Sequence, residues 1–158
     1  MSRTVVLEVV YPHPPERVWR ALTDRDALAE WLLPNNFEPR RGHRFQFWSP
    51  PRPGSRGVIE CEVVELDEPR RLSYTWQSEP DQPPTLVTWT LEPTKGGTRV
   101  RLEHELRTGL YALAPGAMPA IDWEWALRAQ LPESLTRLSE GWQTWARETI
   151  VPGSVYPT

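Results

Sequence analysis

Glu133-Ser-Leu-Thr-Arg-Leu-Ser-Glu-Gly-Trp-Gln-Thr-Trp-Ala-Arg-Glu-Thr-Ile150 is the stretch whose reading decides the fold. Leu135, Leu138, Trp142, Trp145 and Thr149 recur at alternating steps of three and four, which is one face of an α-helix. Arg137, Glu140, Gln143, Arg147 and Glu148 take the other face. Pro132 suits the first helical position, where a missing N–H costs nothing, and Glu133 then suits the positive end of the dipole. A lone helix of this length is marginal in water, so its Leu/Trp face must rest on other structure. Almost everything upstream reads as strand, which predicts a curved sheet wrapped around this helix.

Working outward, the strands declare themselves by parity. Thr4 to Tyr11 sets Val5, Leu7 and Val9 against Glu8. Gly42 to Trp48 pairs Phe45 with Phe47, and Val58 to Leu66 aligns Ile59, Cys61 and Val63. Leu72, Tyr74 and Trp76 alternate with Ser73, Thr75 and Gln77; Val87, Trp89 and Leu91 alternate with Thr88 and Thr90. The last strand has Val100, Leu102, His104 and Leu106 on one face and Arg101, Glu103, Glu105 and Arg107 on the other. Strict period-two patterning with short turns such as Lys95-Gly-Gly-Thr98 predicts an antiparallel meander with one buried face. Between the first two strands, Pro14-Pro-Glu starts a helix through about Leu22, and Thr23-Asp-Arg-Asp26 has the spacing of a capping box with Thr23 as the cap. The class is therefore α+β, with about six strands, two short helices after the first strand and a long C-terminal helix.

The 158 residues fit one domain, 1–158. A net charge of −3 leaves no basic footprint, so nucleic acid is not an expected partner. The single Cys61 precludes an intrachain disulfide. No signal-peptide pattern or span of membrane length is present, and a cytoplasmic protein, monomer or homodimer, is expected. Three scattered histidines without ligand spacing predict no metal, no sequence pattern calls for a cofactor, and no nucleophile motif of the Gly-x-Ser-x-Gly kind occurs. No catalytic residue is assigned. Glu60, Glu62, Glu103 and Glu105 fall at outward parity, and His13 and His43 fall at turns, where solvation is expected.

Pro14-Pro-Glu-Arg-Val-Trp-Arg-Ala-Leu-Thr-Asp24, Leu28-Ala-Glu-Trp31 and Gly141-Trp142, in this order around the strands, resemble the START-like (SRPBCC) superfamily. The likeness is to its branch of heat-shock-protein ATPase activator homologues. The resemblance implies a helix-grip fold with a cavity between sheet and helix. It also implies a range of roles, from lipid and hormone binders through polyketide cyclases and hydroxylase domains to chaperone activators.

Nine tryptophans exceed what an ordinary core of this size requires. Large rings with polar tips on a concave sheet suit an apolar ligand. The expected ligand-binding set is Phe45, Phe47, Tyr74, Trp76, Trp89 and His104 from the strands and Trp142 and Trp145 from the helix. Tyr111, Met118 and Trp123 join it from residues 109–131, an apolar, Gly/Pro-hinged stretch read as a lid-like insertion. His104 is the one expected inner-face group able to orient a ligand carbonyl or hydroxyl. The expected partner is a small hydrophobic, aromatic or polyketide-like molecule. The alternatives are an enzyme of the cyclase, dehydratase or hydrolase type in the same cavity, and a surface that engages a chaperone protein.

Overall fold

The computed structural model describes residues 2–50, 57–79, 82–107 and 122–150, with side chains described for 4–50, 57–79, 82–105 and 122–140. The elements run β1 (Ser2–Tyr11), α1 (Pro15–Thr23), α2 (Arg25–Trp31), β2 (Arg44–Trp48), β3 (Val58–Asp67), β4 (Arg71–Trp76), β5 (Thr85–Thr94) and β6 (Gly97–Arg107). A helical turn α3 (Trp123–Trp125), a π-helical segment (Ala126–Gln130) and α4 (Leu131–Ile150) follow one another without a break. The strands form one antiparallel sheet in the order β1-β6-β5-β4-β3-β2. The long helix packs on its inner face, which is the expected helix-grip arrangement. Among the described residues, no helix is long and apolar enough to cross a membrane.

The parity rule holds strand by strand. Phe45, Phe47, Ile59, Cys61, Val63, Leu72, Tyr74, Trp76, Val87, Trp89, Leu91, Val100, Leu102 and His104 are all buried. The four outward glutamates face water as expected, and three of them are engaged there: Glu103 accepts from Arg101 at 2.9 Å, Glu60 from Gln46 at 3.0 Å, and Glu62 lies 3.4 Å from Arg44.

Three local expectations are corrected. The cap of α2 is Asp24, whose Oδ1 accepts the N–H groups of Asp26 at 2.9 Å and Ala27 at 3.0 Å. Thr23 instead ends α1, its hydroxyl donating back to the Trp19 carbonyl at 2.8 Å. Aspartate offers a charged acceptor to the positive end of the helix, so it wins the cap when the two residues are adjacent. His43 is not solvated: its side chain is 13 % exposed, held by Arg40 at Nδ1 (3.1 Å) and the Asn36 carbonyl at Nε2 (3.2 Å), and nearly parallel to the Phe45 ring. His13 is half-buried and accepts from Arg17 at 3.1 Å.

The third correction concerns Pro132, which lies inside a continuous helix rather than at its start. Asp122 is the true cap, its Oδ1 accepting the Trp125 N–H at 3.1 Å. An interior proline lacks an N–H and crowds the carbonyl four residues back. The chain meets this with the wide turn, in which the Leu131 N–H bonds to the Ala126 carbonyl five residues back. The Leu127 carbonyl then loses both natural donors, since Leu131 is engaged elsewhere and Pro132 has none. The Tyr11 hydroxyl donates to it at 2.6 Å, tying the end of β1 to the widened turn. The extra residue also rephases the helix, so Trp123 and Leu127 before it share a buried side with Leu131 and Leu135 after it.

The same corner carries a steric constraint. A Cβ added at Gly97 would run into the Tyr11 carbonyl oxygen and sit 3.0 Å from the Tyr11 carbonyl carbon and 3.1 Å from Pro12 Cα. β1 cannot retreat freely, because Tyr11 is bonded to Leu127 and the Thr98 hydroxyl holds the His13 carbonyl at 2.7 Å. Gly97→Ala is expected to cost about 2–3 kcal/mol, read as a lower urea midpoint at unchanged m-value. A loss within about 0.5 kcal/mol would mean that β1 adjusts without breaking either tie.

Candidate functional site

The inner face is a chain of rings. Phe37 meets Phe45 edge-on at 4.9 Å between centroids; Phe45 meets both Phe47 and Tyr74 at 5.4 Å, and Phe47 meets Trp76 at 5.4 Å. From there Trp76 contacts Trp123 at 5.4 Å and His104 at 5.6 Å, and Trp123 contacts Trp89 at 5.7 Å. Trp31 closes the row, edge-on to Trp89 at 5.9 Å. Register explains the gathering: Tyr74 pairs with Val87, Val87 with His104, and Leu72 with Trp89, so one parity across three strands turns every ring to the same side.

The polar tips are mostly committed within the protein. Trp89 Nε1 donates to the Tyr74 hydroxyl at 3.0 Å, and Trp31 Nε1 to the Ala21 carbonyl at 2.8 Å. Trp123 Nε1 donates to His104 Nδ1 at 3.0 Å, which leaves the His104 proton on Nε2, 2.8 Å from Thr85 Oγ1. The Thr85 hydroxyl passes its own proton to the Trp76 carbonyl at 3.0 Å. Both ring nitrogens of His104 are thus taken by the protein. The Trp76 indole N–H has no hydrogen-bond partner among the described residues.

Among the described residues, no charged side chain reaches this wall. Burial pushes the Tyr74 and Cys61 groups well above their ordinary values and lowers His104 to about 4, so all three are neutral at pH 7. No aspartate, glutamate, lysine or arginine is buried among the described residues. No group of three or more His, Cys, Asp or Glu among them could hold a metal ion.

The structure therefore brings Phe45, Phe47, Tyr74, Trp76, Trp89, His104 and Trp123 together. Tyr111 and Met118 lie outside the described residues, as does 109–121 of the expected lid. Residues 123–130, behind the Asp122 cap, are helix continuous with α4, and Trp142 and Trp145 lie on that helix with side chains outside the described set. Sequence reasoning passed over Thr85, Phe37 and Trp31 as site residues. Thr85 shares the parity of Val87 and Trp89, which was a usable signal. Phe37 had none, because it is placed by Asn35, whose Oδ1 accepts the Phe37 N–H at 3.0 Å while its amide bonds the Arg25 and Leu33 carbonyls. A separate cleft of about 370 Å³ lies between the β1–α1 loop and the β5–β6 hairpin, lined by Pro12, His13, Pro15, Pro93, Thr94 and Gly97.

Comparison with solved structures gives several whole-chain likenesses. The protein MLL2253 from Mesorhizobium loti is 36% identical, with 88% of this chain and 98% of that one covered at a TM-score of 0.66. A Rhodobacter sphaeroides protein is 29% identical over 85% of this chain and 93% of its own, at 0.64. DynU16, a protein of the dynemicin biosynthetic locus, shares the fold at 22% identity and a TM-score of 0.61, covering 87% of this chain and 47% of that one. No curated protein matches. The profile of the Activator of Hsp90 ATPase homolog 1-like protein family matches residues 12–148, nearly the whole of the helix-grip unit. The chain belongs to that family.

Proposed function

We propose that this chain binds an uncharged, ring-bearing small molecule between the inner face of the sheet and the C-terminal half of α4. The observation that carries the reading is the unbroken aromatic wall from Phe37 to Trp89, together with the uncharged state of every titratable group on it. Such a wall offers carbon surface and ring edges, which favour an apolar ring system and disfavour a charged one. The Trp76 N–H, without a hydrogen-bond partner among the described residues, is the group best suited to a ligand carbonyl, since the His104 Nε2 proton is already given to Thr85. Trp142 and Trp145 on α4 and Tyr111 and Met118 ahead of it are proposed to complete the enclosure. DynU16, a relative in fold, comes from the dynemicin biosynthetic locus.

Catalysis of the cyclase or hydrolase kind needs two converging groups that exchange protons near neutrality, and the described wall offers none held near that range. The chaperone-activator role in the family's name calls for an exposed surface. Among the described residues, the exposed large apolar side chains are instead dispersed over β1 (Val6, Val10), β2 (Trp48), β3 (Val64) and α3 (Trp125).

The test is a titration with N-phenyl-1-naphthylamine, an uncharged fluorescent ring compound. Saturation at one molecule per chain is expected, with Trp76→Leu about tenfold weaker while the far-ultraviolet spectrum is unchanged. Absence of saturable binding, or equal binding by folded Trp76→Leu, would remove the reading. Stimulation of a chaperone ATPase by the empty protein, without such binding, would replace it.

A further inference from the structure

We propose that the Trp123 indole is an internal stand-in for the ligand, and that the ligand is a planar aromatic molecule carrying a hydrogen-bond donor, bound by displacing Trp123. This inference rests on the proposed inner-face site and names what that site selects. Trp123 enters the wall from the helix, not from the sheet, and it is the ring that the sheet surrounds. Trp76 lies against it at 5.4 Å and 58°, Trp89 at 5.7 Å and 79°, and His104 at 5.9 Å and 84°. Its one polar atom donates to His104 Nδ1 at 3.0 Å.

The network behind that contact has a fixed direction. His104 Nε2–H gives to Thr85, and Thr85 gives to the Trp76 carbonyl, so the chain of donors ends on a backbone acceptor and leaves one lone pair, on Nδ1, aimed at the ring place. A ring without a donor would leave that nitrogen unpaired in an apolar site, a penalty of roughly tenfold or more in affinity. A phenol or an indole would not.

The carrier of Trp123 is built to let go. Behind the Asp122 cap, one helical turn leads into the π-helical segment, and the Tyr11 bond to the Leu127 carbonyl anchors the chain just beyond. Swinging Asp122–Ala126 outward as one turn keeps the cap bond to Trp125, breaks the His104 contact and the bond from the Leu131 N–H to the Ala126 carbonyl, and leaves the Tyr11 bond holding Leu127. The ligand therefore competes with an attached ring, and its apparent affinity is reduced by the fraction of time the ring is in place.

The experiment titrates the full chain with 2-naphthol and with naphthalene, following the tryptophan side-chain N–H resonances and assigning that of Trp123 with Trp123→Phe. The expected result is that 2-naphthol moves the Trp123 resonance from its bonded position while those of Trp31 and Trp89 stay bonded. Naphthalene should bind at least tenfold more weakly, Trp123→Ala should bind 2-naphthol at least tenfold more tightly, and His104→Phe should abolish the preference between probes. Binding of 2-naphthol with an unmoved Trp123 resonance, or equal affinity for both probes, overturns the inference and leaves the inner-face site standing. Failure of both probes to bind wild type overturns the inference and the site together. The wild-type titration decides the matter even if a variant does not fold.

Discussion

Trp89→Ala is expected to remove about 3–5 kcal/mol of stability, the usual cost of deleting a large buried ring. Trp89 is fully buried at the middle of β5, paired to Leu72 on one side and Leu102 on the other. Its ring is the meeting point of two helical contributions, Trp31 of α2 at 5.9 Å and Trp123 of α3 at 5.7 Å. Alanine would open a cavity against the sheet, and it would also take from the Tyr74 hydroxyl the N–H it accepts at 3.0 Å. Neither loss can be repaired by collapse, because the strands on both sides hold the backbone. Urea unfolding gives the measurement, with Trp89→Phe as the control that keeps one ring and loses the N–H. The phenylalanine variant is expected to lose less than half as much as alanine. Equal losses would locate the effect in the Tyr74 link instead of in packing.

How much of this was legible in the sequence follows from which forces are local. The strands were legible because burial of one face stamps a period of two on every segment, and the inner positions Phe45 to His104 followed from parity alone. The C-terminal helix was legible from Leu135 onward for the same reason with a different period. Its unbroken continuation back past Pro132 was not, because a proline at the first helical position and a proline behind a π-turn look alike in sequence: in both cases the missing N–H goes unused. The bond from the Leu131 N–H to the Ala126 carbonyl and the Tyr11 bond to Leu127, across 116 residues, distinguish them. His104 was recognised as the ionisable group of the inner face, but its partners were not, since Thr85 and Trp123 each lie 19 residues away and their choice of nitrogen depends on packed geometry. The expectation that it would orient a ligand left out Trp123 and Thr85, which hold its two nitrogens in this structure. His43 shows the converse error. A turn position suggested water, whereas the Asn36 carbonyl and the Phe45 ring form a niche that no local pattern announces.

Acid is expected to strike the fold through His104. Burial lowers its folded-state value to about 4, against an ordinary 6.5, because the charged imidazolium would lose its water with nothing charged to replace it. Its described neighbours, Trp76, Trp123, Thr85, Val87 and Val5, carry no charge of their own. Between pH 6.5 and 4 the unfolded chain therefore binds a proton that the folded chain refuses. Stability contributed by the neutral ring is fully present above pH 6.5 and declines as pH falls to about 4, by about 3 kcal/mol in all. Below that both states hold the proton and the decline from this group ends. Carboxylates titrate in part of the same range, so the measurement is the difference in unfolding free energy between wild type and His104→Gln, taken from pH 7 to 4. That difference is expected to shrink by the amount given, and the imidazole resonances should stay those of the Nε2–H form at pH 6. A titration midpoint near 6.5 would show that the ring meets water. The geometry also fixes what gives way first: a proton on Nδ1 would face the Trp123 N–H, donor against donor, so Trp123 should leave its place before the sheet does. Its indole resonance is then expected to shift at a higher pH than the unfolding transition, and coincidence of the two would mean that Trp123 and the sheet come apart as one unit.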